Sequence, residues 1–467
     1  MSAIADLRLI VGGENVHIPG EESFDLLNAR FAVHPGVSVA FQVAVMPGNA
    51  EEVRQVVALA HKAGMALLTV FGISDTGASL LGEGDGLILD LSLLNRILQT
   101  DVPNGYVRIE PGVTYAQLAA YFASEGLPLW VDSERDPDAS IAGSVMAKGL
   151  GFTPYGDHAL VQCGAEFALP YGELMRTGMG AMPGSTTWQL YKFALGPYAD
   201  GLSIQSGLMV PTQMGLWVMG EVPAKDLLVL DIEDDAALAN LAEILRAPKF
   251  ANLLPGTVSI TSAAFDSARH PGEPAGPAWR LVTALYGLPR VVELTKVAVL
   301  GMVADVEGIT VADAVALGSV STSVGERSAL LFGQPGLGPV AFSGLAQDKA
   351  ASLTFVAPIE DHFVQEMIER GREVTASLGL PLLTEIALIG RAMHLHLYLP
   401  YDASQTASIE LVATAAQQLT ASMRAAGIGL AAQSFELAHL GLAHRPSSGF
   451  AELEKRISKA LCDLSGV

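Results

Sequence analysis

Apolar and polar positions in the first part of the chain follow a pattern typical of alternating helices and strands. Residues 51–64 repeat apolar side chains at helical spacing, with acidic residues first and a glycine last, which predicts an amphipathic helix. Short apolar runs predict strands, and a Pro-Tyr-Gly-Glu turn predicts a hairpin. The predicted strands are 66–70, 87–91 and 106–110, a second helix is predicted over 114–125, and the hairpin joins 161–169 to 174–177.

The pattern changes after residue 221, where longer helices separate apolar strands. Strands are predicted over 227–232, 257–264, 382–389 and 391–399. Helices are predicted over 236–245, 361–378, 404–426 and 450–462, and 279–303 is predicted to be largely helical. This order of elements favours one antiparallel sheet covered by helices. The predicted fold class of the chain is therefore α/β, of the α+β kind.

The strand predicted over 391–399 separates apolar from chemically active side chains. Its odd positions are apolar, so His394, His396 and Tyr398 face the opposite side of the sheet. Glu385 lies on the preceding strand, within reach of a histidine across the hairpin. Two interpretations stay open, a solvated sheet face and the wall of a ligand cavity. We predict no metal site, because no third ligand accompanies the two histidines.

Charge and cysteine content exclude several classes of function. The 467 residues carry 27 basic and 49 acidic side chains, a net charge of −22, which argues against nucleic acid and anionic membranes as partners. Cys163 and Cys462 are isolated, so we expect no disulfide framework, zinc cluster or haem attachment. No apolar run is long enough for a membrane span, and the first residues do not resemble a signal peptide, so we expect a cytoplasmic protein.

Long motifs in the middle of the chain resemble one family of flavoproteins. The motifs are TPYGDH at 153–158, RTGMGAMPGS at 176–185 and GPYADGL at 196–202, with supporting runs at 109–115, 279–287 and 355–358. They closely resemble the vanillyl alcohol oxidase and 4-cresol dehydrogenase flavoproteins. The resemblance implies a two-lobed FAD-binding domain of the p-cresol methylhydroxylase (PCMH) type with an α/β cap. We predict the FAD-binding domain at 1–222, the cap at 223–433 and a C-terminal helical return at 434–467.

The resemblance also implies an activity and partners. Enzymes of this family bind a para-substituted phenol as the phenolate and transfer hydride from its para-alkyl carbon to flavin N5. Members commonly form dimers, and some pass electrons to a c-type cytochrome subunit. The partners implied for this chain are a second copy or a homologous flavoprotein subunit, with a c-type cytochrome as a further partner. Glu385 and His394 match substrate-pocket positions of 4-cresol dehydrogenase and are the predicted catalytic residues.

The cofactor-binding positions depart from the family pattern. Gly72, Ser74, Thr76 and Gly77 still permit a backbone nest for a diphosphate, and Gly143 and Ser144 complete the candidate FAD contacts. However, the arginine, asparagine and tyrosine of the family loop are missing, and Asp75 adds a negative charge. No histidine, tyrosine or cysteine occurs from Gly287 to Asp361, so any bound FAD is predicted to be non-covalent.

The phenolate-binding positions depart from the pattern as well. Residues 430–437 contain no tyrosine–arginine pair, so a phenolate has no counter-charge there. The resemblance implies an acidic residue near flavin N5 within 132–138, but no single carboxylate can be assigned. Asp157 and His158 form a pair without a nucleophile elbow, so hydrolysis is not indicated.

Three functions follow from these departures. The first is a flavin-poor companion subunit of a phenol-oxidising flavoprotein complex. The second is an FAD-dependent oxidoreductase of para-substituted phenols that holds FAD non-covalently. The third is a non-redox isomerase, lyase or cyclase that uses Glu385 and His394 in the same cavity.

Overall fold

The computed structural model describes residues 2–32, 40–72, 77–81, 85–194, 196–336, 338, 340–342, 345, 349–434, 437, 442 and 448–463. The strands are β1 Val16–His17, β2 Ala40–Val45, β3 Ala66–Val70, β4 Ser79–Leu81, β5 Asp85–Asp90, β6 Ile97–Asp101, β7 Tyr106–Ile109, β8 Leu129–Trp130, β9 Gln162–Ala168, β10 Leu174–Arg176, β11 Val210–Trp217, β12 Met219–Gly220, β13 Ala224–Ile232, β14 Val258–Ser262, β15 Trp279–Gly287, β16 Ile309–Val311, β17 Lys349–Pro358, β18 Leu383–Ile389, β19 Ala392–Tyr401 and β20 Gly429–Gln433.

The helices connect and cover these strands. They are α1 Ser2–Val11, α2 Glu22–Ala32, α3 Ala50–Lys62, α4 Tyr115–Ser124, α5 Ile141–Ala147, α6 His158–Val161, α7 Asp235–Phe250, α8 Ala263–Arg269, α9 Pro289–Val303, α10 Ala314–Val320, α11 Thr322–Leu331, α12 Asp361–Ser377, α13 Thr406–Ala425 and α14 Ser448–Asp463. Among the described helices, none combines the length and the apolar composition that a membrane crossing requires.

Two five-stranded sheets form the N-terminal half. In the first, of order β1-β2-β5-β3-β4, the central three strands are parallel and both edge strands are antiparallel to them. The second, of order β10-β9-β11-β7-β6, is antiparallel throughout and contains the predicted 161–177 hairpin. Helix α3 begins at Asn49, whose side chain accepts a hydrogen bond from the Glu52 amide, and it buries the predicted valine stripe.

The C-terminal half is built on one eight-stranded antiparallel sheet, of order β16-β13-β15-β14-β18-β19-β17-β20. Helices α7, α9, α12 and α13 pack on one face and share an apolar core with Leu230, Ile260, Leu353 and Leu395. Every pairing in this sheet is antiparallel, which confirms the predicted sheet with its helical cover. The opposite face packs against α8 and α11, and it also carries buried polar side chains such as Ser259 and Glu385.

One predicted element is correct only in part. Segment 279–303 is not helical from end to end: Trp279–Gly287 is strand β15 and only Pro289–Val303 is a helix. Strand β15 lies inside the sheet between β13 and β14, and its interior positions are buried on both faces. A strand buried on both faces has a continuous apolar run, which cannot be distinguished from a buried helix by periodicity alone.

The predicted fold class is confirmed, since helices and mostly antiparallel sheets are combined throughout. Two large apolar cores stand out, one built from residues 7–218 and one from residues 228–442. Ile457 and Leu461 of α14 pack against the first core, although α14 lies at the C-terminal end of the chain. The domain boundaries at 222 and 433 remain a prediction.

Candidate functional site

The polar face of the β18–β19 hairpin contains the predicted catalytic residues. A two-residue turn, Gly390-Arg391, joins the strands, and Ile389 pairs with Ala392 beside it. This register places Glu385 opposite His396, whereas His394 lies opposite Ala387. The Glu–His pairing expected across the hairpin thus falls on His396, and His394 lies two residues further along the strand. The catalytic role of Glu385 and His394 remains a prediction.

Glu385 is held in a buried set of hydrogen bonds. Both of its carboxylate oxygens accept hydrogen bonds from Arg135 Nη2 at 2.8 Å, and one also accepts from Ser259 Oγ at 2.6 Å. Burial is the largest single effect and raises the pKa of the Glu385 carboxyl, but the charges of Arg135 and His396 and the hydrogen bonds from Ser259 and Arg135 together lower that pKa. Glu385 is consequently an ionised, weakly basic carboxylate rather than a ready proton acceptor.

Arg135 connects the loop before α5 to the eight-stranded sheet, through its ion pair with Glu385 on β18. Besides Glu385, its guanidinium lies 3.6 Å from Glu326 and stacks 5.0 Å from the ring centre of Phe152. Glu326 also lies 3.3 Å from His270 Nε2 and accepts a hydrogen bond from Arg269 Nε at 2.9 Å. These hydrogen bonds and the charges of Arg135 and Arg269 keep the pKa of its carboxyl well below the usual range despite burial. Arg135 and Arg269 together are thus balanced by Glu385 and Glu326.

The remaining polar side chains of β19 lie beside this network. His396 shares a hydrogen bond with Thr354 Oγ1 at 3.0 Å, and Tyr398 packs against the rings of Phe265 and Phe342. His394 differs, because its buried Nδ1 atom has no hydrogen-bond partner in the described part of the chain. Burial and the neighbouring His396 lower the pKa of His394 to about 4. A neutral imidazole can accept or donate one hydrogen bond to a ligand on this face.

We expect the His394 ring to show no titration in nuclear magnetic resonance spectra between about pH 5.5 and 9, since its pKa of about 4 leaves it neutral there. Free histidine added to the sample serves as the reference, because an unperturbed imidazole titrates near pH 6.5. An inflection of the His394 ring signals near pH 6.5 would contradict the buried, unpaired arrangement.

The predicted cofactor contacts are brought together in part. Gly77 has a φ of +82°, and a Cβ atom there would come within 2.2 Å of the Gly143 carbonyl oxygen, so the loop after β3 and helix α5 touch through their backbones. Gly72 also has a positive φ, of +106°. Ser74 and Thr76 lie outside the described residues.

Helix α5 has no free amide at the two predicted contacts. The Gly143 amide donates to Ser140 Oγ, the Ser144 amide donates to the Ser140 carbonyl, and the Ser144 hydroxyl donates to the Glu134 carboxylate. A diphosphate needs free N–H donors and suffers from a nearby carboxylate. These two residues therefore do not fit a hydrogen-bonded contact with the FAD diphosphate, and their role in cofactor binding remains a prediction.

A second buried polar cluster surrounds His158. Its Nε2 atom lies 2.7 Å from Asp132 Oδ2, and its Nδ1 atom lies 2.7 Å from Ser144 Oγ and 3.0 Å from the Tyr115 hydroxyl. Burial tends to lower the pKa of His158, but its hydrogen bond to Asp132 and the charge of Asp132 raise it. Ser144 is fully buried, so this serine–histidine–aspartate chain cannot act on a substrate as a nucleophile.

Sequence reasoning missed Arg135 and the His158 cluster, although signals for both exist. Arg135 is the single basic residue in the run 132–138. Tyr115 and His158 stand in two of the motifs, and a Cβ at Gly149 or Gly151 would collide with the cluster. The two glycines just before the TPYGDH motif, Gly149 and Gly151, are thus explained by the space that the buried polar groups need.

Comparison with known proteins relates this site to flavoproteins. Residues 41–178 match the family described as FAD binding domain. The chain is 30% identical over 320 residues to the 4-cresol dehydrogenase [hydroxylating] flavoprotein subunit of Pseudomonas putida, covering 62% of this chain and 61% of that protein. It is also 30% identical over 264 residues to 1'-carboxy-chondrochloren decarboxylase of Chondromyces crocatus, covering 55% of this chain and 48% of that protein. The matches thus span about half to three fifths of these relatives.

Solved structures agree with this relationship at the level of fold. Substrate-bound p-cresol methylhydroxylase superposes with a TM-score of 0.90 at 24% identity, covering 100% of this chain and 95% of that chain. The isoeugenol complex of 4-ethylphenol oxidase from Gulosibacter chungangensis has a TM-score of 0.91 at 23% identity, covering 99% and 94%. The chain therefore has the fold of the PCMH-type flavoproteins, and its residues 41–178 match the FAD binding domain family.

Proposed function

We propose that this chain is a flavin-poor companion subunit of a phenol-oxidising flavoprotein complex. The observation that carries the proposal is the neutralised guanidinium of Arg135, whose charge is balanced by Glu385 and Glu326. A phenol has a pKa of about 10, so its ionisation in a buried site requires an uncompensated positive charge nearby. The predicted site offers an ion pair instead, which gives a phenolate no net stabilisation.

The cofactor side supports the same proposal. The amides of Gly143 and Ser144 are used within the start of α5, and the Glu134 carboxylate lies beside them. The segment Gly287–Asp361 lacks the side-chain nucleophiles that form flavin tethers. When bound, FAD supplies hydride-accepting chemistry, and the residues for its diphosphate would come from the loop that contains Gly72 and Gly77. We expect this binding to be weak and non-covalent.

A second candidate is an FAD-dependent oxidoreductase of para-substituted phenols. It is favoured by the match of residues 41–178 to the FAD binding domain family and by the relative from Pseudomonas putida. A non-redox enzyme that uses Glu385 and His394 is less well supported, because Glu385 is ion-paired with Arg135 and does not face His394.

The flavin content of the purified chain separates these functions. We expect well under one FAD per chain after expression with excess riboflavin, and no mass increase from FAD on denatured protein. Co-expression with a tagged 4-cresol dehydrogenase flavoprotein subunit should recover a complex of both chains. The flavoprotein expressed alone serves as the control for a full visible flavin spectrum.

One FAD per chain, together with turnover of a 4-alkylphenol by the chain alone, would overturn the companion function in favour of the second candidate. A colourless chain that does not co-purify with the flavoprotein would overturn both and leave the non-redox function.

A further inference from the structure

Two arginine side chains of the second five-stranded sheet converge on one tryptophan ring. Arg108 on β7 lies opposite Gly215 on β11, and Arg176 on β10 lies opposite Glu166 on β9. These positions share the face of the sheet that is turned away from the first apolar core. The Arg176 guanidinium lies 4.7 Å from the ring centre of Trp188, and the Arg108 guanidinium lies 5.4 Å from it. Two positive charges are therefore held at one indole ring.

The backbone fixes the position of this ring. Trp188 is 7% exposed, and a Cβ atom at Gly164 or Gly180 would come within 2.5 Å of its Nε1 atom. Gly164 also has a φ of +73°, which favours glycine. Gly180 belongs to the motif RTGMGAMPGS, and Arg176 is the first residue of that motif. The motif therefore supplies one of the two charges and the close backbone contact with the ring.

The positive charge at the ring is compensated only in part. Arg176 Nε donates a hydrogen bond to the Glu166 carboxylate at 2.7 Å, and Thr212 Oγ1 donates to the same carboxylate at 3.0 Å. Arg108 is half-buried and forms no ion pair with the described residues, and its buried Nε atom has no hydrogen-bond partner among them. Burial and the charge of Arg176 lower the pKa of Arg108, although Glu166 attracts it from a distance. An anion at this guanidinium would offset the cost of its burial.

We propose that Arg108 and Arg176 bind the carboxylate group of a small organic acid beside the Trp188 ring. The planar guanidinium of Arg108 can donate two parallel hydrogen bonds to a carboxylate. The Arg176 side chain is 50% exposed, so an acid can reach the site from solvent. The two guanidinium groups and the Glu166 carboxylate together carry one positive charge, which a monoanion neutralises. A phosphate dianion would instead leave a negative charge beside Glu166.

The test is calorimetric titration of sodium acetate into the full chain at pH 8 and constant ionic strength, with chloride as the only other small anion. We expect saturable binding with a Kd of about 1 mM or below, which is within the limit for a ligand of this size. Arg108→Met should weaken acetate binding at least about 10-fold, as for the loss of hydrogen bonds to a charged group. Arg108→Lys keeps the charge but loses the paired N–H donors, so it should weaken binding as well.

Two further variants control for folding and for a general loss of charge. Arg176→Met changes a half-exposed side chain, so the variant is expected to fold, and it should also weaken acetate binding at least about 10-fold. Arg456→Met is the matched control, because Arg456 is 75% exposed and pairs with Glu452 on α14, and it should bind acetate like wild type. Urea unfolding of each variant shows that it is folded.

The charge balance also predicts which anion is preferred. Inorganic phosphate, mostly a dianion at pH 8, should bind wild type at least about 10-fold more weakly than acetate. Glu166→Gln removes the opposing carboxylate, so it should reduce or reverse that preference.

Three results would overturn the proposal. They are the absence of saturable acetate binding up to about 20 mM, a folded Arg108→Met protein that binds acetate like wild type, and equal binding of phosphate and acetate by wild type. None of these measurements depends on flavin content or on a partner chain, so failure here is distinguishable from failure of the proposed function.

Discussion

Replacing Arg135 by methionine is expected to lower the free energy of unfolding by about 3–5 kcal/mol, the usual cost of removing one partner from a buried ion pair. The Glu385 and Glu326 carboxylates lose their shared guanidinium and stay buried as negative charges, with Arg269 and His270 still close to Glu326. Equilibrium unfolding in urea, followed by tryptophan fluorescence, measures the change.

Two further variants separate the buried network from a general loss of charge. Arg456→Met removes an exposed arginine from its pair with Glu452 and should cost less than about 1 kcal/mol. Adding Glu385→Gln to Arg135→Met removes one uncompensated charge, so the double variant should be more stable than Arg135→Met alone. If Arg135→Met proved as stable as Arg456→Met, the ion pairs of Arg135 with Glu385 and Glu326 would not stabilise the contact between the eight-stranded sheet and the loop before α5.

Local patterns were sufficient for elements that bury one face. Helix α3 shows this, because its valine stripe, its acidic first turn and its Asn49 cap all indicate the same boundaries. Strand β15 is the contrary case, since Trp279–Gly287 is buried on both faces and has no alternation. Pro289 at the first turn of α9 was the available signal that a new helix begins there.

The register of the predicted site was also accessible from the sequence. Once Gly390 and Arg391 are recognised as a two-residue hairpin turn, Glu385 must pair with His396. The side-chain alternation of β19 was predicted correctly, and the Glu–His pairing expected across the hairpin falls on His396. A turn of two residues fixes the register, and periodicity alone does not.

Contacts between distant segments could not be predicted from periodicity. Arg135 and Glu385 are 250 positions apart, and Tyr115 and His158 are 43 positions apart. Each pair forms only because the sheets bring separate loops together. The motifs that contain Tyr115 and His158 identified the family, yet the structure was needed to show that these two side chains meet each other at Ser144.

Replacing His158 by glutamine is expected to destabilise the chain most at acidic pH and less as the pH rises. Folding raises the pKa of His158, so its protonated form stabilises the folded state. That contribution is fully present below the unfolded pKa of about 6.5 and is lost as the pH rises through the folded value. The stability difference between wild type and His158→Gln should therefore shrink by about 1.4 kcal/mol for each unit by which folding raises the pKa.

Urea unfolding of wild type and His158→Gln at several pH values from about 6 to 9 measures this difference in unfolding free energy. Titratable groups that are present in both proteins contribute equally to both, so their effect on the difference cancels. At the acidic end the loss should reach about 3–5 kcal/mol, because Asp132 keeps its buried charge after the imidazolium is removed. His362→Gln is the matched control, since His362 is 58% exposed, and its difference from wild type should stay small at every pH. A His158→Gln difference that is constant or grows with pH would mean that His158 is neutral in the fold. The hydrogen bonds to Ser144 and Tyr115, rather than the charge pair with Asp132, would then hold the cluster together.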